Sequence, residues 1–317
     1  MDPRLLRAFV TVAEELHFTR AAARLYVAQQ ALSRDVRRLE RELGAELFVR
    51  TTRHVTLTAD GERLLPHARR VLSAQDDLLA AFAPGQCRPL LVDLNSPGLT
   101  TGRRVLHRAR ELAPDCELMA RYESGLTGAA AELLAGRLDA SFGRFAGLDP
   151  ALRSGLEQQP VRCEPMAVVL PEDHPLAVRP EVPLAALAGE TVYAGAGNPR
   201  TGEWTDLAYR LFEGRGIEVA APLPLAVGDE EFERIMAKTR HPVLAVVGFP
   251  VMPRTVCRPL VDPVPLSPVS LVWRKGLVHP GLVALRRAAA ELAAAKGWLR
   301  RPAGGWVPAM DESVMRG

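Results

Sequence analysis

The segment 18–58 constrains this chain more than any other, because an Ala-rich helical pattern, a turn, a second helical pattern and a basic hairpin follow one another without a break. Alanines at 21–23 are small enough to let two helices approach closely, and residues 26–28 form the turn. Residues 4–16 add a supporting helix, since apolar side chains recur there at helical spacing. The last helix is predicted by apolar residues spaced by four, three and four positions: Leu32, Val36, Leu39 and Leu43. This order of elements predicts a winged helix-turn-helix, a DNA-binding fold.

The charge of this segment supports the same interpretation. Residues 20–53 contain eight arginines and four acids, an excess of four positive charges, whereas the whole chain carries only +3. An arginine-bearing helix face is usually just solvated, but charge concentrated on one helix and one hairpin is what phosphate binding requires. A Gln amide at the start of the helix can pair with adenine, and an arginine can fork onto guanine. The predicted DNA-binding residues are Thr19, Arg20, Gln29, Gln30, Ser33, Arg34, Arg37, Arg38, Arg50 and Arg53.

On these residues the N-terminal region resembles the DNA-binding domain of LysR-type transcriptional regulators. The resemblance implies a sequence-specific bacterial transcription regulator that binds palindromic promoter sites in double-stranded DNA and has RNA polymerase as a partner. The family usually shows Ser-Gln-Pro or Ser-Gln-Ser where this chain has Ala28, Gln29 and Gln30, so one helix start loses its hydroxyl cap. We expect Thr19 to cap the preceding helix. The matching residues are Phe18, Thr19, Ala21, Ala22, Leu25, Val27, Gln29, Ala31, Leu32, Ser33, Leu39, Glu40, Leu43, Gly44, Leu47, Phe48, Arg50, Arg53, Leu57, Thr58 and Gly61.

A long helix is predicted from Thr58, which caps it, to about Ala83, where Pro84 and Gly85 stop it. Its apolar residues form a seam suited to packing against the same helix of a second chain. The two DNA-binding domains of such a dimer would be related by a twofold axis and could bind a palindromic site. The seam could instead pack on its own domain. The residues predicted for dimerisation are Leu64, Leu65, Ala68, Val71, Leu72, Leu78, Leu79 and Phe82.

The rest of the chain alternates strand and helix patterns, which predicts a largely parallel α/β sheet covered by helices. Clustered prolines suggest a change of subdomain near residue 161. The layout resembles the effector domain of the same regulators, which implies two lobes around a cleft, as in periplasmic binding proteins. Strands are expected near 90–95, 117–123, 139–142, 167–170, 191–194, 223–227, 243–247 and 269–273.

These patterns divide the chain into a DNA-binding domain over 1–58, a linker and dimerisation helix over 59–87, and an effector domain over 88–300. The expected lobes and tail are lobe one at 88–160 and 260–300, lobe two at 161–259, and a tail at 301–317 that is rich in Pro and Gly and expected to be disordered.

Ligands in such sheets collect where strand ends meet helix starts, because unpaired amides there attract negative groups. Arg144 is the strongest candidate for pairing with an effector carboxylate, although an exposed arginine with no ligand is an equal alternative. Each hydroxyl could equally be a helix cap. No effector identity follows. The predicted effector-binding residues are Ser96, Thr100, Thr101, Ser124, Thr127, Phe142, Arg144, Gly195, Gly197 and Asn198.

An enzyme is not predicted, because the chain lacks a nucleophile elbow, a phosphate loop, a zinc-protease motif and a dinucleotide fingerprint. Its seven histidines and four cysteines are scattered, so no metal or cofactor is expected. Without a signal peptide or a membrane-spanning stretch, the protein is expected in the cytoplasm as a homodimer or tetramer. A second hypothesis stays open: a ligand-independent regulator whose C-terminal domain is a protein-interaction module.

Overall fold

The computed structural model describes residues 1–50, 54–82, 88–96, 98–123, 125–223, 229–250 and 252–316. The chain divides into two compact units, Met1–Arg88 with Leu134–Arg137, and Pro89–Leu133 with Leu138–Gly317.

The first unit contains four helices and one hairpin among its described residues. In chain order they are α1 (Pro3–Glu15), α2 (Phe18–Arg24), α3 (Gln29–Leu43), β1 (Phe48–Arg50), β2 (Val55–Leu57) and α4 (Ala59–Phe82). The two strands pair antiparallel, with Phe48 opposite Leu57 and Arg50 opposite Val55. The winged helix-turn-helix predicted from the sequence is therefore confirmed, although the tip of the wing at 51–53 lies outside the described residues.

The aromatic rings of the first unit join the hairpin to the helices. Phe48 lies between Phe9 and Phe18, at ring-centroid distances of 5.4 and 5.9 Å, and the two helices that carry these rings are thereby fixed against the wing. Leu32 and Leu39 of α3 are fully buried in the same core, as their spacing predicts. The opposite face of α3 is consequently turned to solvent.

Helix ends in this unit depart from the sequence prediction at one place. The imidazole Nδ1 of His17 accepts the Arg20 amide at 3.4 Å, so His17 and not Thr19 caps α2. Thr19 lies inside the helix, because α2 begins at Phe18, two residues earlier than a Thr19 cap would place it. Ala28 at the start of α3 makes no side-chain cap, as expected from the missing hydroxyl. Thr58 caps α4 by accepting the Gly61 amide at 3.0 Å, also as expected.

The apolar seam of α4 has two parts. Its first part packs on the core of the same unit, where Ala68 and Leu72 are buried and Leu64 and Leu65 are partly buried. Its second part is open to solvent, since Val71, Leu78 and Leu79 are 49%, 59% and 61% exposed. The side chain of Phe82 lies outside the description. Half of the predicted dimerisation seam therefore belongs to the domain's own core.

The second unit alternates strands and helices along nearly its whole length. Its first elements are β3 (Leu90–Asp93), α5 (Thr100–Leu112), β4 (Leu118–Arg121), α6 (Leu126–Leu134), β5 (Ala140–Gly143), α7 (Pro150–Ser154), β6 (Leu156–Pro171), β7 (Val182–Pro183) and β8 (Thr191–Val192). The later ones are α8 (Gly202–Phe212), β9 (Glu218–Val219), α9 (Asp229–Thr239), β10 (Val243–Val246), β11 (Thr255–Val261), β12 (Val264–Arg274), α10 (Pro280–Lys296), β13 (Gly305–Trp306) and α11 (Ala309–Val314). The strand expected at 223–227 falls mostly outside the described residues.

The main sheet has the strand order β4-β3-β5-β12-β6-β11-β7, with β10 also pairing β6. Strands β3, β4 and β5 pair parallel, and so do β7 with β11 and β13 with β12. The long strand β6 pairs antiparallel with β10, β11 and β12, and β12 also pairs antiparallel with β5, so the sheet is mixed and not largely parallel as the sequence predicts. The two long strands β6 and β12 run together from one half of the sheet into the other. Their pairing register shifts between Val269 and Ser270, opposite the chain near residue 161, where the sequence predicts the change of subdomain.

Two separate cores lie on either side of this irregularity. One is formed by β3, β4, β5, α5 and α10 and includes Leu90, Leu106 and Leu285. The other surrounds the far end of β6 with α8 and includes Met166, Leu207 and Leu211. We call these halves lobe one and lobe two. The two strands that connect them place α6 of lobe one near α8 of lobe two, and the ligand candidates lie there.

The segment after residue 300 is folded, contrary to the expected disordered tail. Strand β13 pairs parallel with the start of β12, and Val307 and Met315 are buried with Cys163 and Leu266. The Pro and Gly content that suggested disorder serves instead to turn the chain before each short element. Asp311 in α11 is fully buried, although it carries a carboxyl group.

Candidate DNA-binding face and ligand cleft

The outer face of α3 presents the amide and guanidinium groups that the sequence predicts for DNA binding. Leu32, Val36 and Leu39 are buried, and the intervening positions face solvent because a helix turns 100° per residue. The exposed or half-buried side chains on that face are Gln29, Gln30, Ser33, Arg34, Arg37 and Arg38.

Gln29 is held in place by Thr19 of the preceding helix. The Thr19 hydroxyl donates a hydrogen bond to the side-chain carbonyl oxygen of Gln29, Oε1, at 3.1 Å. A carbonyl oxygen has a second lone pair, and the amide nitrogen keeps both hydrogens. The Gln29 side chain is therefore oriented and still offers one acceptor and one donor, the combination that can pair with adenine. Thr19 is thus a positioning residue and not a helix cap.

Ion pairing separates the predicted arginines into two groups. Arg38 pairs with Glu42 at 3.1 Å along the same helix. Arg50 pairs with Glu40 at 3.2 Å and lies 4.6 Å over the Phe18 ring, which fixes the wing to α3. Arg20 pairs with Glu15 at 3.6 Å.

Arg34 and Arg37, in contrast, have no ion-pair partner within the part of the chain that the structure describes. Arg53 lies outside it. Arg34 and Arg37 therefore present guanidinium groups on α3 that are not neutralised by the protein itself.

In the second unit, Thr127 and Glu203 join the two lobes at the position where an anionic ligand was expected. The Glu203 carboxylate accepts the backbone amides of Leu126 and Thr127 at 2.8 and 3.0 Å, and also the Thr127 hydroxyl. In return, the Thr127 hydroxyl oxygen accepts the Glu203 amide at 3.1 Å. A carboxylate of the chain therefore occupies the start of α6. Burial raises the pKa of Glu203, against the lowering effect of these hydrogen bonds.

Gly125 allows this close approach. Its φ of +159° lies at the edge of the region that favours glycine, and a Cβ there would collide with the Arg200 carbonyl oxygen. Gly128 also donates its amide to that oxygen at 3.0 Å. The backbone that precedes α8 therefore lies directly on α6 and leaves no room for a ligand between them.

Arg144 binds carboxylates, but they belong to the chain. The side chain is 2% exposed, and its guanidinium contacts Asp206 of α8 at 2.6 Å and Asp311 of α11 at 2.8 Å. It also donates to the Glu203 carbonyl oxygen at 3.1 Å. The guanidinium expected to take an effector carboxylate is therefore not available in this structure, because lobe two and the C-terminal helix supply its partners.

The pKa values of Asp206 and Asp311, the two carboxyl groups paired with Arg144, are shifted in opposite directions. Burial raises the pKa of Asp311, since the full loss of hydration outweighs the attraction of the guanidinium. Burial also acts on Asp206, but hydrogen bonds from Arg210 and Arg144 hold the pKa of this half-exposed carboxyl below its usual range. The pKa of Asp206 is therefore lower than that of Asp311, and Asp206 loses its proton first as pH rises.

Thr101 belongs to another internal cluster. Its hydroxyl donates to Glu164 and accepts from Arg162 at 2.9 Å, and Arg162 lies 5.2 Å over the Trp298 ring. Burial raises the pKa of Glu164. Thr101 is consequently a buried structural hydroxyl that links α5 to β6.

The remaining predicted ligand residues differ in burial and in their hydrogen-bond partners. Phe142 is buried, and its backbone carbonyl oxygen accepts a hydrogen bond from the side-chain amide of Asn95 at 2.6 Å. Ser96 accepts the Gly98 amide at 3.2 Å, and Asn198 accepts the Arg200 amide at 2.9 Å, so both act as local turn caps. Ser124 lies outside the described residues. The residues without such a role are Thr100, Gly195 and Gly197.

The sequence prediction missed Glu203, Asp206 and Asp311. Glu203 and Asp206 stand in the first turn and a half of a helical pattern, where carboxylates commonly cap their own helix. In the structure Glu203 instead caps a helix at Thr127, 76 residues away in the sequence, and Asp206 pairs with Arg144, 62 residues away. Nothing in the sequence indicates these distant partners.

Two family models match the chain: the bacterial regulatory helix-turn-helix of the lysR family over residues 3–62, and the LysR substrate binding domain over 96–294. The uncharacterized HTH-type transcriptional regulator YnfL of Escherichia coli is 40% identical over 195 residues, 60% of this chain and 64% of that protein. The HTH-type transcriptional regulator CatR of Pseudomonas putida is 34% identical over 297 residues, 88% of this chain and 95% of that protein. Full-length OxyR from Pseudomonas aeruginosa superposes with a TM-score of 0.66 at 25% identity, covering 91% of this chain and 97% of that one.

A winged helix-turn-helix followed by a long helix and a two-lobed α/β domain defines a DNA-binding regulator with a ligand-binding module. The chain belongs to the LysR family of bacterial transcription regulators. The alignment with YnfL stops short of two thirds of that protein, whereas the alignment with CatR runs nearly from end to end. The relatives are named as transcription regulators, which supports a regulatory and not an enzymatic role. Among the described helices, none combines the length and apolar character needed to cross a membrane.

Proposed function

We propose that α3 reads its DNA site through Gln29, Gln30 and Arg34, with Arg37 contacting phosphate. The observation that carries this proposal is the Thr19–Gln29 hydrogen bond, because it orients an amide at the start of the helix that enters the major groove in proteins of this fold. Arg38 and Arg50 have internal carboxylate partners and hold the domain together. Arg20, whose pairing with Glu15 at 3.6 Å leaves its side chain exposed, would add a phosphate contact, and so would Arg53, which follows β1 in the sequence. Ser33 supports Arg50 by accepting a 3.3 Å hydrogen bond from it.

Two copies of the chain would bind one palindromic site. The exposed half of the α4 seam, Val71 with Leu78 and Leu79, supplies the apolar surface for a partner helix. The buried half fixes α4 to the helix-turn-helix of the same chain. Dimerisation through α4 would therefore set the spacing between the two α3 helices. Such a dimer, or a tetramer of two dimers, would act in the bacterial cytoplasm and contact RNA polymerase at promoters.

The second unit would respond to a small-molecule effector between its lobes. The predicted ligand residues without an internal cap or ion pair are Thr100, Gly195 and Gly197, and Ser96 and Asn198 cap only local turns. These residues would supply the effector contacts. Because Thr127 and Arg144 are bound by carboxylates of the chain, an effector would have to separate the lobes in order to reach them. Effector binding would therefore change the angle between the lobes, and through the dimer the bend of the DNA.

The reading proposal is tested by selecting duplexes from a random pool with the full-length protein and measuring binding to the selected site and to a scrambled duplex. We expect Gln29→Ala to weaken the selected site by about 1 to 3 kcal/mol and the scrambled duplex hardly at all. Arg287→Ala, an exposed arginine of α10, serves as the control and should change neither. Equal losses on both duplexes would contradict a base-reading role for Gln29.

The effector proposal is tested separately, by thermal unfolding against a small-molecule collection. A true effector at a hundred times its dissociation constant stabilises the protein by about 2.7 kcal/mol. Absence of any stabilising compound, together with capture of a defined protein partner by the second unit, would favour an interaction module instead.

A further inference from the structure

Tyr26, in the turn between α2 and α3, combines a nearly fully exposed aromatic side chain with a backbone conformation that disfavours such a side chain. Its side chain is 96% exposed, the highest value for any large hydrophobic residue among those described. Its φ is +56°, in the left-handed region. A large aromatic side chain is thus held away from the protein on a backbone conformation that disfavours it.

The conformation itself is fixed by the end of α2. The Tyr26 amide donates to the Ala23 carbonyl oxygen at 3.1 Å, and the Val27 amide donates to that of Ala22 at 3.0 Å. This pattern satisfies the last carbonyl groups of the helix and requires one left-handed residue, which in most proteins is glycine or asparagine. Either residue would end α2 with less strain, so the tyrosine side chain is not there for the helix.

Its place in the fold indicates what the side chain contacts. Tyr26 lies three residues before Gln29, at the junction between the helix that crosses the DNA backbone and the helix that enters the major groove. The sugar-phosphate strand that borders the groove passes over this junction. A phenol hydroxyl can donate to a phosphate oxygen, and tyrosine is among the residues that make such contacts.

We propose that Tyr26 is a DNA-contacting residue whose hydroxyl donates to a backbone phosphate at the edge of the major groove. This contact fixes the register of α3 on the duplex, so that Gln29 faces its base. Since the donor is neutral and replaces no cation on the DNA, the contact strengthens binding without releasing counterions. The inference rests on the proposed reading of DNA by α3.

The experiment compares Tyr26→Phe and Tyr26→Asn with wild type in the full-length protein, on the selected and the scrambled duplex and over a range of salt concentrations. Removing the hydroxyl in Tyr26→Phe should weaken both duplexes by a similar factor, about tenfold, as expected for a hydrogen bond to a charged group. The slope of log affinity against log salt should stay at its wild-type value, whereas removal of a cationic group from a phosphate would reduce it by about 0.9.

Tyr26→Asn separates this role from a structural one. Asparagine is suited to the left-handed position, so the melting temperature should stay the same or rise while affinity falls at least as far as in Tyr26→Phe. Tyr209→Phe, a half-exposed tyrosine of α8 in the second unit, is the matched control and should leave affinity unchanged.

Wild-type affinity of Tyr26→Phe on both duplexes would overturn the proposal, and so would a weakened affinity accompanied by a lower melting temperature in both Tyr26 variants. Either result would leave the reading function intact as long as the wild-type protein binds the selected site. Failure of the wild-type protein to bind any duplex would instead contradict the proposed function itself.

Discussion

Thr127 and Glu203 cap each other's helices across the two lobes. The Glu203 carboxylate binds the amides that open α6, and the Thr127 hydroxyl binds the amide near the start of α8. Each side chain satisfies amides that would otherwise be buried without a partner. The contact holds the lobes together, because each helix start draws a hydrogen-bond partner from the other lobe.

The first prediction concerns the strength of this reciprocal contact. Glu203→Ala should lower the free energy of unfolding by about 2 kcal/mol, because it leaves two helix amides without an acceptor. Combined with Thr127→Val, the destabilisation should fall short of the sum of the two single effects by about 1 kcal/mol, since both variants break the same interaction. The measurement is urea denaturation followed by tryptophan fluorescence, as all four tryptophans (Trp204, Trp273, Trp298 and Trp306) lie in the second unit.

Glu181→Ala is the control for this cycle, since Glu181 is an exposed glutamate of the second unit. It should leave the tryptophan transition in place. Strict additivity of the Thr127 and Glu203 variants would show that the two residues do not act as one unit.

The second prediction concerns pH. Because burial raises the pKa of Glu203 in the folded protein, the folded state holds its proton at pH values where the unfolded chain has lost it. The resulting stabilisation is fully present below the unfolded pKa, about 4.3, and is lost as pH rises through the folded pKa. Glu203→Gln cannot titrate. The difference in unfolding free energy, wild type minus Glu203→Gln, should therefore decrease as pH rises from about 4.3. A difference that grows with pH over the same range would contradict this direction.

The third prediction concerns the C-terminal helix. Asp311→Ala removes a buried carboxyl group that accepts from Arg144 and should destabilise the second unit by about 3 kcal/mol, because it leaves buried guanidinium N–H groups without an acceptor. Glu312→Ala, the next residue, removes only exposed interactions with Arg301 and Arg316 and should have little effect. Equal stability of the two variants in the tryptophan transition would contradict a locking role for Asp311.

The sequence predicts the first unit well because its signals are local. The spacing of Leu32, Val36 and Leu39 determines which face of α3 is buried, and the pairing of Arg38 with Glu42 follows the four-residue rule for helices. The partner of Arg50 is less predictable, since Glu40 reaches it from another element ten residues away. Pattern alone therefore identifies the exposed face of α3 that we propose as the DNA-binding face, but it overestimates how many of the predicted arginines lack an internal partner.

The second unit is predicted less well because its decisive interactions are long-range. Arg144 and Asp311 are 167 residues apart, and no spacing in the sequence relates them. Strand β6 extends through Pro160 and Pro165, which the sequence prediction took as breaks, so only its last part was identified. Both prolines pair with β12, Pro165 opposite Leu266 and Pro160 opposite Ser270, and Pro160 lies at the register shift where a proline is tolerated.

The fourth prediction distinguishes the arginines of α3. Since we propose that Arg34 reads bases, Arg34→Ala should relax base preference. Arg37→Ala, at the proposed phosphate contact, should instead weaken binding to all duplexes alike and lower the salt slope by about 0.9. Arg38→Ala should have a smaller effect, because Arg38 is already paired with Glu42. The measurement is affinity across salt concentrations on the selected and scrambled duplexes. A larger effect for Arg38 than for Arg34 would show that internal pairing does not decide which arginines bind DNA.

The fifth prediction concerns assembly through α4. Leu79 is 61% exposed, and a charged side chain there should prevent burial against a partner helix without disturbing the core formed by Ala68 and Leu72. Leu79→Asp should therefore shift the protein toward monomer in sedimentation velocity while leaving its melting temperature, extrapolated to low protein concentration, near the wild-type value. Val178→Asp, at a still more exposed apolar residue of the second unit, should leave the assembly state unchanged. A Leu79→Asp protein that sediments as the wild type would place the dimer interface elsewhere than on α4.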